Sequence, residues 1–202
     1  NTATNGGAIY GSDVTVNGGS FDQNSATGNG GAILGTGNLS VDAVFTGNAA
    51  GWNGGAIAAF GTNTTISGTF DGNTAYNENG GAVYLNQGGT LKNIALTENT
   101  AQNGAAVYSN SGILTIDSAM VTGNTAVNGS IIVNHGNQTV IENSSLNNNI
   151  ANGNAVNTDG ELFLISTTIA ENSRVAGADV SGKNVTIVSS TIAEAGKDGA
   201  LV

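Results

Sequence analysis

The chain has no cysteine and no proline, and only 9% of its 202 residues are charged. Without cysteine there is neither a disulfide nor a thiolate metal site, and nothing can be read about redox compartment. The charged fraction lies well below the roughly 25% of an average soluble domain. Basic residues are scarcest: 4 against 14 acidic ones give a formal charge of −10. The resulting field repels phosphate and anionic lipid, which excludes nucleic acid and membrane surfaces as partners. No stretch approaches the roughly 18 apolar residues of a membrane-spanning helix, so direct membrane insertion is not expected. No basic segment followed by an apolar stretch opens the chain, so any export signal is expected to have been removed or to lie outside these residues.

What the chain does have is glycine, 32 residues of it, and abundant asparagine in a fixed rhythm. Asn5-Gly-Gly-Ala-Ile9 returns at Asn29–Ile33, Asn53–Ile57 and, ending in Val, Asn79–Val83. Degraded copies begin at Asn103, Asn128, Asn152, Ala176 and Asp198, so successive steps are 24, 24, 26, 24, 25, 24, 24 and 22 residues. A period of this length repeated from end to end marks a solenoid, and residues 1–202 read as one repeat domain. In-phase Ile, Val, Leu and Phe argue against disorder, because a disordered chain has no reason to keep apolar residues in register.

A second landmark, an apolar residue followed three positions later by Asn, recurs at Phe21/Asn24, Phe45/Asn48, Phe70/Asn73, Leu96/Asn99, Val121/Asn124, Leu146/Asn149 and Ile169/Asn172; after Ile192 the position holds Ala195. Between the landmarks lie short alternating runs: Val14 and Val16, Leu39 and Val41, Ile66, Leu91, Leu114 and Ile116, Val140, Leu162 and Leu164, Val185 and Ile187. Alternation over so few residues predicts strands with one buried face, and no period holds a ten-residue amphipathic helical pattern. The expected fold is all-β: a right-handed parallel β-helix of about eight coils, roughly 24 residues and three short strands each. The Ile9 position should form one interior column and the Phe21 position a second, each residue covered only when coils stack.

The asparagines read as structural. Asn-Gly favours tight turns with positive φ, and amides stacked at coil spacing can bond to one another. Ladders are therefore expected along Asn5, Asn29, Asn53, Asn79 and Asn103, and along Asn24, Asn48, Asn73, Asn99, Asn124, Asn149 and Asn172. The Gly-Gly pairs lack the Lys and the following helix of a phosphate loop.

Gly-Gly-Ala-Ile/Val alternating with Phe-x-x-Asn, strongest over residues 5 to 83, resembles the repeat of the chlamydial polymorphic outer membrane proteins and related bacterial surface proteins. The resemblance implies a β-helical passenger or stalk displayed outside the cell, extracellular or at the cell surface, and associated with adhesion.

Some parallel β-helices are polysaccharide-degrading enzymes, so acidic and basic residues were weighed for chemistry. A glycoside hydrolase needs two carboxylates about 5 to 9.5 Å apart. Asp22 and Asp71 share a phase but Thr46 separates them, and Asp159 with Glu161, the only close acidic pair, reads as a solvated turn. Arg174 is the only arginine, with Lys92, Lys183 and Lys197 elsewhere, and the single histidine, His135, sits in a turn. No catalytic, cofactor or metal site is expected. Tyr10, Leu34, Ala58, Tyr84, Tyr108 and Val133 follow the interior Ile/Val and should form an outward column; with Trp52 and Tyr76, Tyr84 and Tyr108 are the candidate binding face for another protein or a surface glycan. The threonines appear scattered, without the Thr-x-Thr column of an ice-binding solenoid. Neither end shows a cap, which leaves open an excised piece of a longer protein or subunits stacking end to end into a filament. The sequence thus points to a non-enzymatic extracellular scaffold, with a filament subunit and a carbohydrate-active or sugar-binding β-helix as alternatives.

Overall fold

The structure, a computed structural model, describes residues 1–176 and 178–193; the repeat copy at 198–202 and Ala195 lie outside the described residues. Every strand pairs in parallel with its counterpart one coil away, and no helix occurs among the described residues. Three sheets run along the rod. A narrow sheet stacks eight two-residue strands, from Thr2–Ala3 to Ser173–Arg174. A middle sheet stacks eight strands, from Ile9–Gly11 to Val180–Ser181. A wide sheet begins with Val14–Asp22, Leu39–Thr46, Thr64–Asp71, Gly88–Thr97 and Ile113–Thr122. In later coils its strand splits in two, as in Gln138–Glu142 and Ser145–Asn147.

The registers place like on like. Ile9 pairs with Ile33, Ile33 with Ile57 and Ile57 with Val83, and this column continues buried to Val180. Phe21, Phe45 and Phe70 stack with centroids 4.8 and 4.6 Å apart and rings within 12° of parallel. That separation is the inter-strand spacing, so ring contact follows directly from strand pairing. Leu96, Val121, Leu146 and Ile169 extend the column, fully buried.

Left-handed residues turn the coil. The residue before each buried ladder asparagine, Gln23, Gly47, Gly72, Glu98, Gly123, Asn148 and Glu171, has φ between 50° and 68°. In the Gly-Gly pairs the two glycines do different work. The first, at positions 6, 30, 54 and 80, has φ of 57° to 74°. A side chain on the second would strike a backbone carbonyl of the next coil, as Gly55 shows against Gly81.

At the corner after the wide sheet, Asn24, Asn48, Asn73, Asn99, Asn124, Asn149 and Asn172 form an unbroken buried ladder. Asn73 shows the pattern. Its backbone N–H and Nδ2 both donate to Asn99 Oδ1 at 2.9 Å. Its remaining Nδ2 proton goes to Phe45 O, while its Oδ1 accepts twice from Asn48. Both donors and both lone pairs of the amide are used, so burial leaves nothing unsatisfied. Asn1, not foreseen as a member, donates to Asn24 Oδ1 at 2.8 Å and starts the column. At the Gly-Gly corner a second ladder runs the other way: Asn29 donates to Asn5, Asn53 to Asn29 and Asn79 to Asn53.

Two expectations need correction. Asn103 pairs with Asn79 only through a backbone bridge, and no side-chain hydrogen bond joins them among the described residues. The corner shifts there: Gly104 N–H donates to Ser130 O, and the ladder role passes to Ser130 and then Asn154, whose N–H donates to Ser130 Oγ. In the following coil the inward residues are Thr139 and Ile141, not Val140. Thr139 can turn inward because Asn134 Nδ2 and Thr158 Oγ1 lie 3.0 Å from its hydroxyl. A Ser/Thr column also went unforeseen: N–H groups of Ala119, Ser144 and Thr167 donate to the hydroxyls of Ser144, Thr167 and Ser190.

The core ends on an ion pair. The inward residue of the narrow sheet is Ala from Ala26 to Ala151, but in the next coil it is Arg174. Val156 N–H donates to Asp179 O as Ile33 N–H does to Ala56 O, so Asp179 takes the place of the Gly-Gly-Ala alanine. Arg174 Nε lies 3.2 Å from Asp179 Oδ1, both side chains buried. Burial pushes the Asp179 carboxyl above its ordinary value, and Arg174 opposes the shift in part.

Asn73→Ala strips acceptors from Asn48 and a donor from Phe45 O, and is expected to cost about 2–4 kcal/mol in denaturant unfolding. Asn128→Ala, at an exposed turn, should stay within about 0.5 kcal/mol of the parent. Arg174→Ala leaves a buried carboxylate alone and should cost about 3–5 kcal/mol, whereas Arg174→Ala with Asp179→Ala, restoring the alanines of the other coils, should recover most of it. Because the folded value of Asp179 is raised, its contribution to stability is full below the ordinary carboxylate range and is lost as pH rises through the raised value. The double variant should lack that component of the stability–pH curve.

Candidate functional site

The four aromatic residues expected to share a binding face divide into two sets. Tyr84 and Tyr108 pair in register and stack with centroids 5.7 Å apart and planes within 8°. Phe60 precedes them at 5.6 Å and His135 follows at 5.5 Å, edge-on to Tyr108, so one ring per coil makes a four-ring column. The column lies outside the main core, as an outward position requires, but it does not stand free in solvent. Tyr84 is 8% exposed, and with Leu34 and Ala58 it forms a small apolar cluster against which Phe60 and Tyr108 pack. Tyr84, with a ring on either side, is buried, while Phe60 and Tyr108 stay partly exposed and His135 at the end is exposed. Burial, followed by the charge of Glu78, raises the Tyr84 phenol above its ordinary value. Burial is also the main cause for Tyr108, ahead of Tyr84, Glu78 and Asp159. Trp52 and Tyr76 are 57% and 62% exposed in turns, with no ring contact between them among the described residues. Tyr10, in the first coil, is also exposed.

The ring column leads into a groove of about 570 Å³ at the turn between the middle and wide sheets. Two rows of side chains border it, one residue per coil. His135, Asp159 and Lys183 form one row at successive steps of 24 residues. Gln138, Glu161 and Asn184 form the other and are paired by strand register. Between the rows the floor is Gly136 and Gly160, where a side chain would collide with the backbone of Gly112 or Asn137. Buried side chains hold this floor from inside: Gly136 N–H donates to Asn134 Oδ1 at 2.9 Å and Gly160 N–H to Thr158 Oγ1 at 3.3 Å.

His135 Nδ1 lies 2.7 Å from Asp159 Oδ2. An ionised carboxylate can only accept, so Nδ1 carries the proton and donates it, and Nε2 is the ring nitrogen turned away from Asp159. Taken one at a time in the sequence, these residues are a histidine in a turn, one half of a solvated acidic pair and an isolated lysine. Steps of 24 were the signal that would have joined them.

Elsewhere the acids remain dispersed. Asp71 accepts from Thr97 Oγ1 at 2.5 Å. Asp117 and Glu142, in register on neighbouring strands, form an acidic pair on adjacent coils that sequence reading overlooked. Hydrogen bonds from Asn143 and then Ser118 hold the Asp117 carboxyl below its ordinary value. No group of three or more His, Cys, Asp or Glu side chains suited to a metal ion occurs among the described residues. The threonines prove ordered rather than scattered: Thr65, Thr90 and Thr115 stack on the wide sheet, and Thr74, Thr100 and Thr125 on the narrow one. No helix of the described residues is long and apolar enough to cross a membrane.

Comparison with curated proteins and with solved structures returns no match. Comparison with family models matches the Chlamydia polymorphic membrane protein repeat at residues 18–36, 42–59 and 67–86. Each matched segment lies in the coils where Gly-Gly-Ala and Phe-x-x-Asn are best kept, and each crosses from the wide sheet through the ladder corner toward the Gly-Gly turn or the middle sheet beyond it. The chain is therefore a β-solenoid that contains three segments similar to the Chlamydia polymorphic membrane protein repeat.

Proposed function

We propose that this chain is a segment of a bacterial surface protein, working without catalysis as a rigid stalk that carries an adhesive face away from the cell. The observation that carries the reading is the coincidence of a surface-protein repeat with an uninterrupted stack of coils. Eight coils at about 4.8 Å each make a spacer about 40 Å long. Every coil is bonded to the next through three sheets and ladder side chains, so bending the rod requires breaking several contacts together. Its outer faces are mostly small and uncharged, with the sparse charge predominantly negative. Such a surface repels the anionic lipid of a membrane and leaves specific contacts to local features rather than to a general field.

Beads coated with the folded chain are expected to attach to cultured animal cells several-fold more than albumin-coated beads, and attachment equal to the albumin control would remove the adhesive part of this reading. Incubation with a panel of polysaccharides should release neither reducing ends nor unsaturated products; sustained turnover of any polymer would replace the stalk by an enzyme.

A further inference from the structure

We propose that the groove bordered by His135, Asp159 and Lys183 on one side and Gln138, Glu161 and Asn184 on the other binds a short uncharged oligosaccharide. The inference deepens the adhesive reading by naming a site and a ligand class, and rests on that reading for its cellular setting.

Shape comes first. Two rows of polar side chains flank Gly136 and Asn137 in one coil and Gly160 in the next, and the rows meet at the adjacent Lys183 and Asn184 in the third, where Lys183 N–H donates to Gly160 O. Its volume, about 570 Å³, falls in the range of small-ligand sites. The floor does not depend on the rows, because Asn134 and Thr158 hold it from within the core. A ligand therefore meets a concavity already formed, which limits the ordering cost of binding.

Chemistry selects the ligand. All six bordering side chains are polar. Gln138, Glu161 and Asn184 stand about one strand spacing apart, yet no hydrogen bond joins their side chains among the described residues, unlike the asparagines of the ladders. Carboxamides offer both donors and acceptors, Glu161 offers acceptors, Lys183 donors, and His135 offers Nε2, its Nδ1 being engaged by Asp159. A mixed set of this kind matches sugar hydroxyls, each of which donates and accepts. Ile113, exposed at the rim, gives the carbon face of a sugar ring an apolar neighbour. Two carboxylates against one lysine, on a chain of net charge −10, disfavour phosphate, sulfated or sialylated ligands. An apolar ligand would leave the polar borders desolvated without partners.

The experiment is protein-observed ¹H–¹⁵N NMR titration of the folded chain with neutral di- and trisaccharides, a sulfated disaccharide and a lysine-rich peptide. At least one neutral saccharide is expected to shift the Gly136 and Gly160 amide signals saturably, with Kd of about 1 mM or tighter. Glu161→Ala should weaken that binding at least about fivefold, the loss of a hydrogen bond to a charged group. Thr65→Ala, on a different part of the wide sheet, should leave it unchanged, and circular dichroism should show both variants folded. Absence of saturable shifts with every neutral saccharide, preference for the sulfated sugar or the peptide, or an unaffected Glu161→Ala variant would each overturn the proposal. Cell attachment without saccharide binding would sink this site while leaving the adhesive reading standing; saccharide binding without cell attachment would do the reverse.

Discussion

Parallel pairing between identical positions one coil apart is the constraint on which everything else in this protein depends. Once Ile33 must lie between Ile9 and Ile57, each residue type is chosen by what it does beside a copy of itself. Aliphatic residues and phenylalanine succeed because they pack on their own kind at strand spacing. Asparagine succeeds inside because its amide is self-complementary, with two donors and two lone pairs that close on the amides above and below. A buried Lys or Glu column would instead stack like charges in a medium that does not screen them. The scarcity of charge in the sequence is thus a consequence of the architecture, and the one buried ion pair among the described residues occurs where two different positions change together.

The same constraint places the surface features. Glycines sit where coils approach too closely for a side chain or where φ is positive, so corners tend to be low and their flanks high. The groove beside His135 is such a corner, made roomier because its bordering residues are long. Binding features on a solenoid need no dedicated loop: a substitution repeated in neighbouring coils makes a row, and two rows make a cleft.

Much of this was legible in the sequence because stacking writes its requirements periodically. Counting from Asn-Gly located the interior Ile/Val column, the phenylalanine stack and the buried asparagine ladder by residue. What stayed hidden were the places where the count and the space disagree. At Asn128 and Asn152 the letters persist while the corner role has moved to Ser130 and Asn154. Val140 is apolar and so reads as inward, but hydrogen bonding inside the core lets Thr139 have that position. Tyr84 does follow an inward residue, as alternation requires; alternation alone could not show that neighbouring rings and Leu34 would bury it. Arg174 and Asp179 were visible in phase with columns of alanine, yet they pair only because the coil folds two separate columns together. Grouping His135 with Asp159 and Lys183 required applying the period to singular residues as well as to the repeated ones.

The amide-to-amide hydrogen bonds of the two asparagine ladders run in opposite senses, the buried ones donated toward later coils and those at the Gly-Gly corner toward earlier coils, while each buried amide from Asn48 onward also gives one proton to a carbonyl of the coil before it. Their amide dipoles oppose each other through the first four coils. Beyond Asn79 the corner ladder loses its regular amide chain while the buried one continues to Asn172. The molecule therefore carries a lopsided polarisation along its length, balanced in one half and directional in the other, with no charged side chain needed to produce it.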